Sequence, residues 1–217
     1  MRRVISMKTL LHVVATPRAE ASRTLKVSGA FIDGLNKRYP GCRVDTLDLF
    51  GEKIPPLTAK RLDGKYTLLG GGDLSGESKD AWKEIISHIE RFASADGYLI
   101  SAPMWNFGIP YVLKHYIDVI VQPKYLFRYT DKGPEGLIKN KKMVIVTSRG
   151  GDYGPESPFH AYDHEEPYLK TVMGFIGITD IAFISAQPMD AMGPDVQREK
   201  IEKAKEAAEK AAEGFWK

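Results

Sequence analysis

Five short segments with strand character alternate along this chain with longer segments whose apolar residues recur at the spacing of a helix. The strands are predicted over residues 9–15, 43–49, 96–100, 142–147 and 178–185, and residues 43–49 alternate between polar and apolar, as expected at or near a sheet edge. This alternation of strands and helices predicts an α/β fold in which helices cover both faces of a parallel sheet. Five strands and 217 residues suit a three-layer sandwich with the strand order 2-1-3-4-5. Ligands of such folds bind at the carboxyl edge of the strands.

The intervening segments predict helices and one excursion from the sheet. Helices are expected over residues 24–38, 77–95, 111–121, 162–175 and 195–212, the last of them charged and at the surface. Residues 60–75 are ambiguous and allow a short helix before three consecutive glycines. Residues 124–138 are polar and aromatic, and a hairpin is expected around residues 131–134.

Length and composition favour a single globular domain. The 217 residues are enough for one core, and residues 1–6 are expected to form a loose lead-in to the first strand. A net charge of +3 without an extended basic stretch argues against nucleic acid as a partner. The single cysteine, Cys42, permits no intramolecular disulfide, and no apolar run is long enough to span a membrane. We therefore expect a cytoplasmic protein.

The loop that follows the third strand has an unusual composition. From Ser101 to Pro110 it is Ser-Ala-Pro-Met-Trp-Asn-Phe-Gly-Ile-Pro, so Trp105 and Phe107 flank Asn106. Rigid aromatic side chains around one amide suit a flat heterocycle that lies over the main chain. The alternative is a hydrophobic plug that caps the sheet.

Two further loops are expected at the same edge of the sheet. The loop after the first strand carries Thr16, Arg18, Ser22 and Thr24. It enters a helix, whose N-terminal N–H groups favour a phosphate, and it lacks both glycine motifs of nucleotide-binding loops. The loop after the fourth strand contains Gly150 and Gly151, which permit close approach of the main chain. Helix capping by Ser22 alone and a plain glycine turn are the alternatives.

A phosphate site beside a planar pocket suits FMN. The phosphate would bind at the first loop, and the ring would lie between the loops that follow the third and fourth strands. The protein would bind and tune the flavin, which carries the hydride chemistry.

Several motifs resemble those of the FMN-dependent NADH azoreductases, which belong with the flavodoxin-like quinone reductases. They are Pro103–Pro110, Thr16–Arg18 with Ser22, Ser148–Tyr153 and residues 127–137 and 168–180, and they extend over nearly the whole chain. The resemblance implies a flavodoxin-like fold and a homodimer with active sites at the subunit interface. It also implies ping-pong transfer of two electrons from NADH or NADPH, through FMN, to quinones or azo compounds.

The resemblance also implies a set of cofactor-binding residues. They are Thr16, Arg18, Ser22, Thr24, Pro103, Met104, Trp105, Asn106, Phe107, Ser148, Arg149, Gly150, Gly151 and Tyr153. It implies no catalytic side chain, since the flavin itself exchanges the hydride. Thr16 and Trp105 replace residues that are commonly serine and tyrosine in the family, and this leaves the substrate preference open.

An aromatic set in the excursion and beyond it is the predicted substrate pocket. Phe127, Tyr129 and Phe159 are assigned to it because segments outside the sheet rarely have a core of their own. The alternative function is a flavodoxin-type electron carrier with protein redox partners. The slightly basic net charge disfavours it, because such carriers usually dock through acidic surfaces.

The histidines do not predict a metal site or a catalytic base. His160, His164, Glu165 and Glu166 are close in sequence, but no second cluster completes a ligand set, so no metal is expected. His12 lies in an apolar strand pattern and is expected to be packed or partly exposed rather than catalytic.

Overall fold

The computed structural model describes residues 7–216, so the predicted lead-in at residues 1–6 lies outside the described residues. The strands of this part of the chain are β1 (Thr9–Val14), β2 (Arg43–Asp48), β3 (Gly97–Ser101), β4 (Phe127–Thr130), β5 (Gly133–Gly136), β6 (Lys142–Ser148) and β7 (Asp180–Ala186). The parallel sheet has the order β2-β1-β3-β6-β7. Counted within this sheet alone, it is the predicted order 2-1-3-4-5.

The helices of the same range cover both faces of the sheet. They are α1 (Arg23–Arg38), α2 (Ala59–Leu69), α3 (Gly76–Ser94), α4 (Tyr111–Ile120), α5 (Glu166–Phe175) and α6 (Gly193–Glu213). Successive strand residues point to opposite faces, so Leu10 packs in the core beneath α1 and α6, and Leu11 in the core beneath α3 and α4. The predicted three layers are confirmed.

Burial along the strands follows their positions in the sheet. All residues of β3 are buried, and β1 is buried from Leu10 to Val14. Continuous apolar runs are expected for strands that are covered on both faces. The edge strand β2 is mostly exposed or half-buried, with Leu47 its buried residue. The carboxyl ends of the buried strands therefore lead directly into the predicted functional loops.

The helix predicted over residues 162–175 begins later, at Glu166. His160–Tyr162 instead forms one turn of 3-10 helix. The Asp163 carboxylate then accepts the N–H groups of Glu165 and Glu166, at 3.0 and 3.1 Å. These N–H groups have no partner inside the helix, so the carboxylate sets the starting point of α5.

The ambiguous segment over residues 60–75 contains α2, which packs closely on α3. A Cβ at Gly64 would lie 2.3 Å from Nε1 of Trp82, so only glycine permits this approach. The same Nε1 donates to the carbonyl oxygen of Arg61 at 2.9 Å.

The predicted hairpin is formed by β4 and β5, which pair antiparallel outside the main sheet. The last helix, α6, is charged on its outer face but buries Ile201, Ala204, Ala208 and Ala212. Within residues 7–216, none of the helices combines the length and the apolar character that crossing a membrane requires.

Candidate functional site

The loops that follow β1, β3 and β6 meet at one edge of the sheet. Thr24 Oγ1, in the first turn of α1, lies 2.8 Å from Ser148 Oγ at the end of β6. The main-chain N–H of Met104 donates to the carbonyl oxygen of Ser148 at 3.0 Å. Each of the three loops is therefore joined to another by a hydrogen bond, as their convergence requires.

These loops enclose a cavity of about 210 Å³. Its lining contains most of the predicted cofactor-binding residues, namely Thr16, Arg18, Ser22, Thr24, Pro103, Met104, Trp105, Ser148, Arg149 and Gly150. The lining does not include Asn106, Phe107, Gly151 or Tyr153, which are predicted members of the same set. Contact with a flavin stays a prediction for all of these residues.

The first loop presents the N-terminus of α1 to the cavity. Ser22 is the N-cap residue, and its Oγ accepts the N–H of Leu25 at 3.2 Å. The N–H groups of Arg23 and Thr24 have no intrahelical partner because they lie in the first turn. Ser22 therefore caps the helix, as the alternative interpretation expects, but the N–H groups of Arg23 and Thr24 remain free to bind an anion.

The second loop contains a tight turn over Trp105–Gly108. Trp105 and Gly108 exchange two main-chain hydrogen bonds, of 2.9 and 3.0 Å. The central residues, Asn106 and Phe107, have φ values of 48° and 70°. Asparagine tolerates this left-handed conformation, whereas phenylalanine is strained in it. Such strain is typical of functional sites, where the surrounding structure maintains it.

Several main-chain N–H groups of the second and third loops remain available. Among residues 7–216, those of Asn106, Gly150 and Gly151 have no hydrogen-bond partner. They belong to the two loops that are predicted to hold a planar ring, and Gly150 lines the cavity. Donors of this kind suit the polar edge of a heterocycle.

Trp105 belongs to a cluster of three aromatic rings at one side of the cavity. Its ring centroid lies 6.1 Å from that of Phe50 and 6.3 Å from that of Tyr111. Phe50 follows β2 and Tyr111 begins α4, so residues from three segments fix the indole ring. The sequence patterns did not reveal Phe50, because it lies in an irregular connection.

A second aromatic group lies at the other end of the Trp105–Gly108 turn. Phe107 packs against Tyr153 and Tyr162, with ring centroids 6.2 and 5.4 Å apart, and Tyr162 stacks on Phe159 at 6.2 Å. Phe107, Phe159 and Tyr162 are all about half-exposed. Phe159, predicted to line a substrate pocket, is therefore connected to the site through Tyr162.

Phe127 and Tyr129 lie in the hairpin and do not line the cavity. The prediction that they lack a core of their own is wrong for Phe127, which is 5% exposed and packs on Phe175 at a centroid distance of 4.6 Å. Its neighbour Tyr129 is 64% exposed. The hairpin folds back on α5, and this gives Phe127 its buried environment.

Arg149 lines the cavity, but its guanidinium group is held by the protein itself. The side chain is 2% exposed and forms ion pairs with Asp163 and Glu165, at 2.9 and 3.1 Å. Burial raises the pKa of Glu165 to about 7, and the bonds from Thr147 and Arg149 oppose this shift. These ion pairs leave the guanidinium group of Arg149 little freedom to contact a cofactor. Contact between Arg149 and a cofactor stays a prediction.

The loop after β7 also contributes to the cavity, although no sequence pattern predicts this. Met189 and Asp190 line the cavity, and Asp190 pairs with Arg23 at 2.6 Å. The main-chain N–H of Asp190 also donates to the carbonyl oxygen of Gly150 at 3.0 Å. The strand order alone could have predicted this contribution, since the fifth parallel strand ends at the same edge of the sheet as the others.

A buried polar network lies behind the first loop. His12 Nε2 lies 2.7 Å from Ser101 Oγ, which lies 2.6 Å from Ser28 Oγ. Desolvation lowers the pKa of His12 to about 4, so the packed ring is neutral.

One histidine of residues 160–166 lies within hydrogen-bond distance of a main-chain carbonyl oxygen. His160 Nδ1 lies 3.0 Å from the carbonyl oxygen of Tyr153. Within residues 7–216, no group of three or more His, Cys, Asp or Glu side chains is placed to bind a metal ion.

Comparisons with known proteins agree with this architecture. Residues 8–212 match a family described by its flavodoxin-like fold. An FMN-dependent NADH:quinone oxidoreductase of Nitratidesulfovibrio vulgaris (strain DP4) is 35% identical over 209 residues, which cover 96% of this chain and 100% of that protein.

Two solved structures are similar over almost the whole chain. An azoreductase from Bacillus anthracis strain Sterne is 32% identical, with a TM-score of 0.87 over 96% of this chain and 100% of that one. An FMN-dependent NADH-azoreductase from B. anthracis strain Ames Ancestor, solved in complex with FMN, is 26% identical, with a TM-score of 0.82 over 95% and 100%. The chain therefore belongs to the flavodoxin-like family, together with relatives named as quinone oxidoreductases and azoreductases.

Proposed function

We propose that this protein is an FMN-dependent oxidoreductase that transfers two electrons from NADH or NADPH to quinones or azo compounds. One observation carries the proposal: the N-terminus of α1, the Trp105 turn and the Gly150 loop converge on one cavity. The names of the relatives support the same cofactor and the same classes of electron acceptor.

The residues at the cavity fit FMN chemically. The anionic phosphate suits the free N–H groups at the start of α1, the hydroxyls of Ser22 and Thr24, and the exposed side chain of Arg18. The polar edge of the ring suits the free N–H groups of Gly150 and Gly151.

Bound FMN would supply the group that accepts a hydride from the nicotinamide and passes two electrons to the acceptor. The role of the protein is to bind and orient it. In this proposal, Met104 and Trp105 form one wall of the ring site and Gly150 the other. The cluster of Phe50 and Tyr111 around Trp105 keeps that wall rigid, and so limits the cost of ordering on binding.

The electron acceptor is proposed to bind among exposed aromatic rings. Phe107, Phe159 and Tyr162 offer such a surface beside the cavity, and Tyr129 offers another in the hairpin. Among the described residues, no ring contact joins Tyr129 to the other three. A homodimer with active sites at its interface would bring such surfaces together, and we propose that assembly. Light scattering should then give twice the chain mass of 24.2 kDa.

Anaerobic stopped-flow spectroscopy tests the proposed activity. NADH should bleach the flavin absorbance of the FMN-loaded protein, and a quinone added afterwards should restore it without NADH. That order of events also tests the ping-pong sequence. A flavodoxin-type carrier would not be reduced by NADH directly, so an unchanged flavin spectrum would favour that alternative.

The proposed location is the cytoplasm, which the single cysteine supports.

A further inference from the structure

A buried ionic cluster lies beside the third loop. Arg149 Nη1 contacts Asp163 Oδ2 at 2.9 Å, and Arg149 Nε contacts Glu165 Oε2 at 3.1 Å. The three side chains are 2%, 3% and 0% exposed. Thr147 Oγ1 donates to the same oxygen of Glu165 at 2.7 Å. Buried charges of this kind are stable only while they stay paired.

The two acids of this cluster flank His164, which contacts the second loop. The main-chain N–H of His164 donates to the carbonyl oxygen of Phe107 at 2.9 Å. Phe107 is the strained residue of the Trp105–Gly108 turn, with φ of 70°. Residues 163–165 therefore form a strap that connects Arg149 of the third loop with the strained turn of the second.

We propose that Arg149 is a positioning residue, which fixes this strap and thereby maintains the Trp105–Gly108 turn in the conformation that binds the flavin ring. As far as the flavin is concerned, the inference rests on the proposed function. A strained conformation persists only where neighbouring structure enforces it, and His164 is the contact that links this turn to the strap. Asp163 also sets the start of α5, so the strap is continuous with the first turn of that helix.

Loss of the guanidinium fork should loosen the strap. Arg149→Lys keeps one positive charge but cannot bind both carboxylates as the planar fork does. The double variant Arg149→Met, Glu165→Gln removes the arginine and the charge of Glu165, and Asp163 keeps the N–H groups of Glu165 and Glu166 as its partners. Arg91→Lys is the matched control, because Arg91 also pairs with two carboxylates, of Asp45 and Glu52, and does not line the cavity.

Hydrogen exchange of the flavin-free protein tests the strap directly. The His164 N–H should exchange about tenfold faster or more in both Arg149 variants and at the wild-type rate in Arg91→Lys. Wild-type exchange at His164 in both Arg149 variants would overturn the inference.

Visible circular dichroism of bound FMN tests the link to the ring. Both Arg149 variants should bind FMN, because the N-terminus of α1 is intact, but with an altered flavin spectrum and about tenfold slower reduction by NADH. Faster exchange together with an unaltered flavin spectrum would also overturn the inference. Failure of the wild-type protein to bind FMN would instead refute the proposed function, which the exchange measurement does not require.

Discussion

The hydroxyl oxygens of Thr24 and Ser148 lie 2.8 Å apart, although the strands that precede and contain them, β1 and β6, are not neighbours in the sheet. Thr24 begins the helix that follows β1, and Ser148 ends β6, with β3 between the two strands. The contact closes the rim of the cavity across the point where the strand order reverses. Ligands of open α/β sheets bind at that point.

Ser22→Ala should weaken FMN binding. The change removes a hydroxyl beside the proposed phosphate site and the N-cap of α1. A hydrogen bond to a charged group contributes about 1.5–3 kcal/mol, so the Kd should rise about tenfold or more. Titration with quenching of FMN fluorescence measures it. Ser94→Ala, an exposed hydroxyl at the end of α3, is the control and should leave the Kd unchanged. Equal affinities for both variants would contradict the assignment.

Phe127→Ala should destabilise the fold. The ring is buried against Phe175, and removal of a buried aromatic ring costs about 3–5 kcal/mol. Tyr129→Ala, which removes a mostly exposed ring of the same hairpin, should cost less than about 1 kcal/mol. Urea unfolding followed by circular dichroism compares the two, and equal midpoints would show that Phe127 is not a core residue.

Gly136→Ala should also destabilise the fold. A Cβ at Gly136 would lie 2.2 Å from the main-chain nitrogen of Gly177, and a main chain cannot move aside as a side chain can. We expect a loss of about 1–3 kcal/mol. Gly29→Ala in α1 meets no atom within 4 Å and should stabilise by about 0.5–1 kcal/mol. Thermal unfolding midpoints that shift in the same direction for both variants would contradict this packing.

Stability should depend on pH through His12. Burial lowers its pKa from 6.5 to about 4, so between these values the unfolded chain binds a proton that the folded protein does not. Stability therefore falls as the pH decreases from 6.5 to 4, by about 3 kcal/mol in total. Above pH 6.5 the residue contributes no pH dependence.

His12→Gln should remove this dependence. Glu165 gives an opposite slope, because its pKa is raised to about 7, but it is present in both proteins and cancels in the comparison. Urea unfolding of the two proteins between pH 4.5 and 7 measures the difference. Parallel curves of stability against pH would mean that His12 is not buried as a neutral ring.

The sheet and the rim of the site were predictable from the sequence because both leave local signals. Continuous apolar runs marked β1 and β3 as buried strands, and their order placed three unusual loops at one edge. The hairpin followed from the turn residues over 131–134, although Gly133 and Pro134 begin β5 and the turn itself consists of Asp131 and Lys132. Each of these features depends on residues that are adjacent in the chain.

Other features depend on contacts that no periodic pattern records. The motif around Arg149 predicts contact with a cofactor, whereas its observed partners Asp163 and Glu165 follow in an irregular segment. The start of α5 is set by a side-chain cap, which apolar spacing does not reveal. The left-handed turn at Asn106 was hidden because Phe107 is not a residue expected at positive φ.

The most direct test of the account compares the binding of FMN with that of riboflavin by fluorescence titration of the flavin-free protein. The two ligands share the ring and differ in the phosphate that we place at the N-terminus of α1. We expect one FMN per chain and an affinity for riboflavin that is lower by about a hundredfold or more. Equal affinities, or no binding of FMN, would contradict the claim that the three loops form one flavin site.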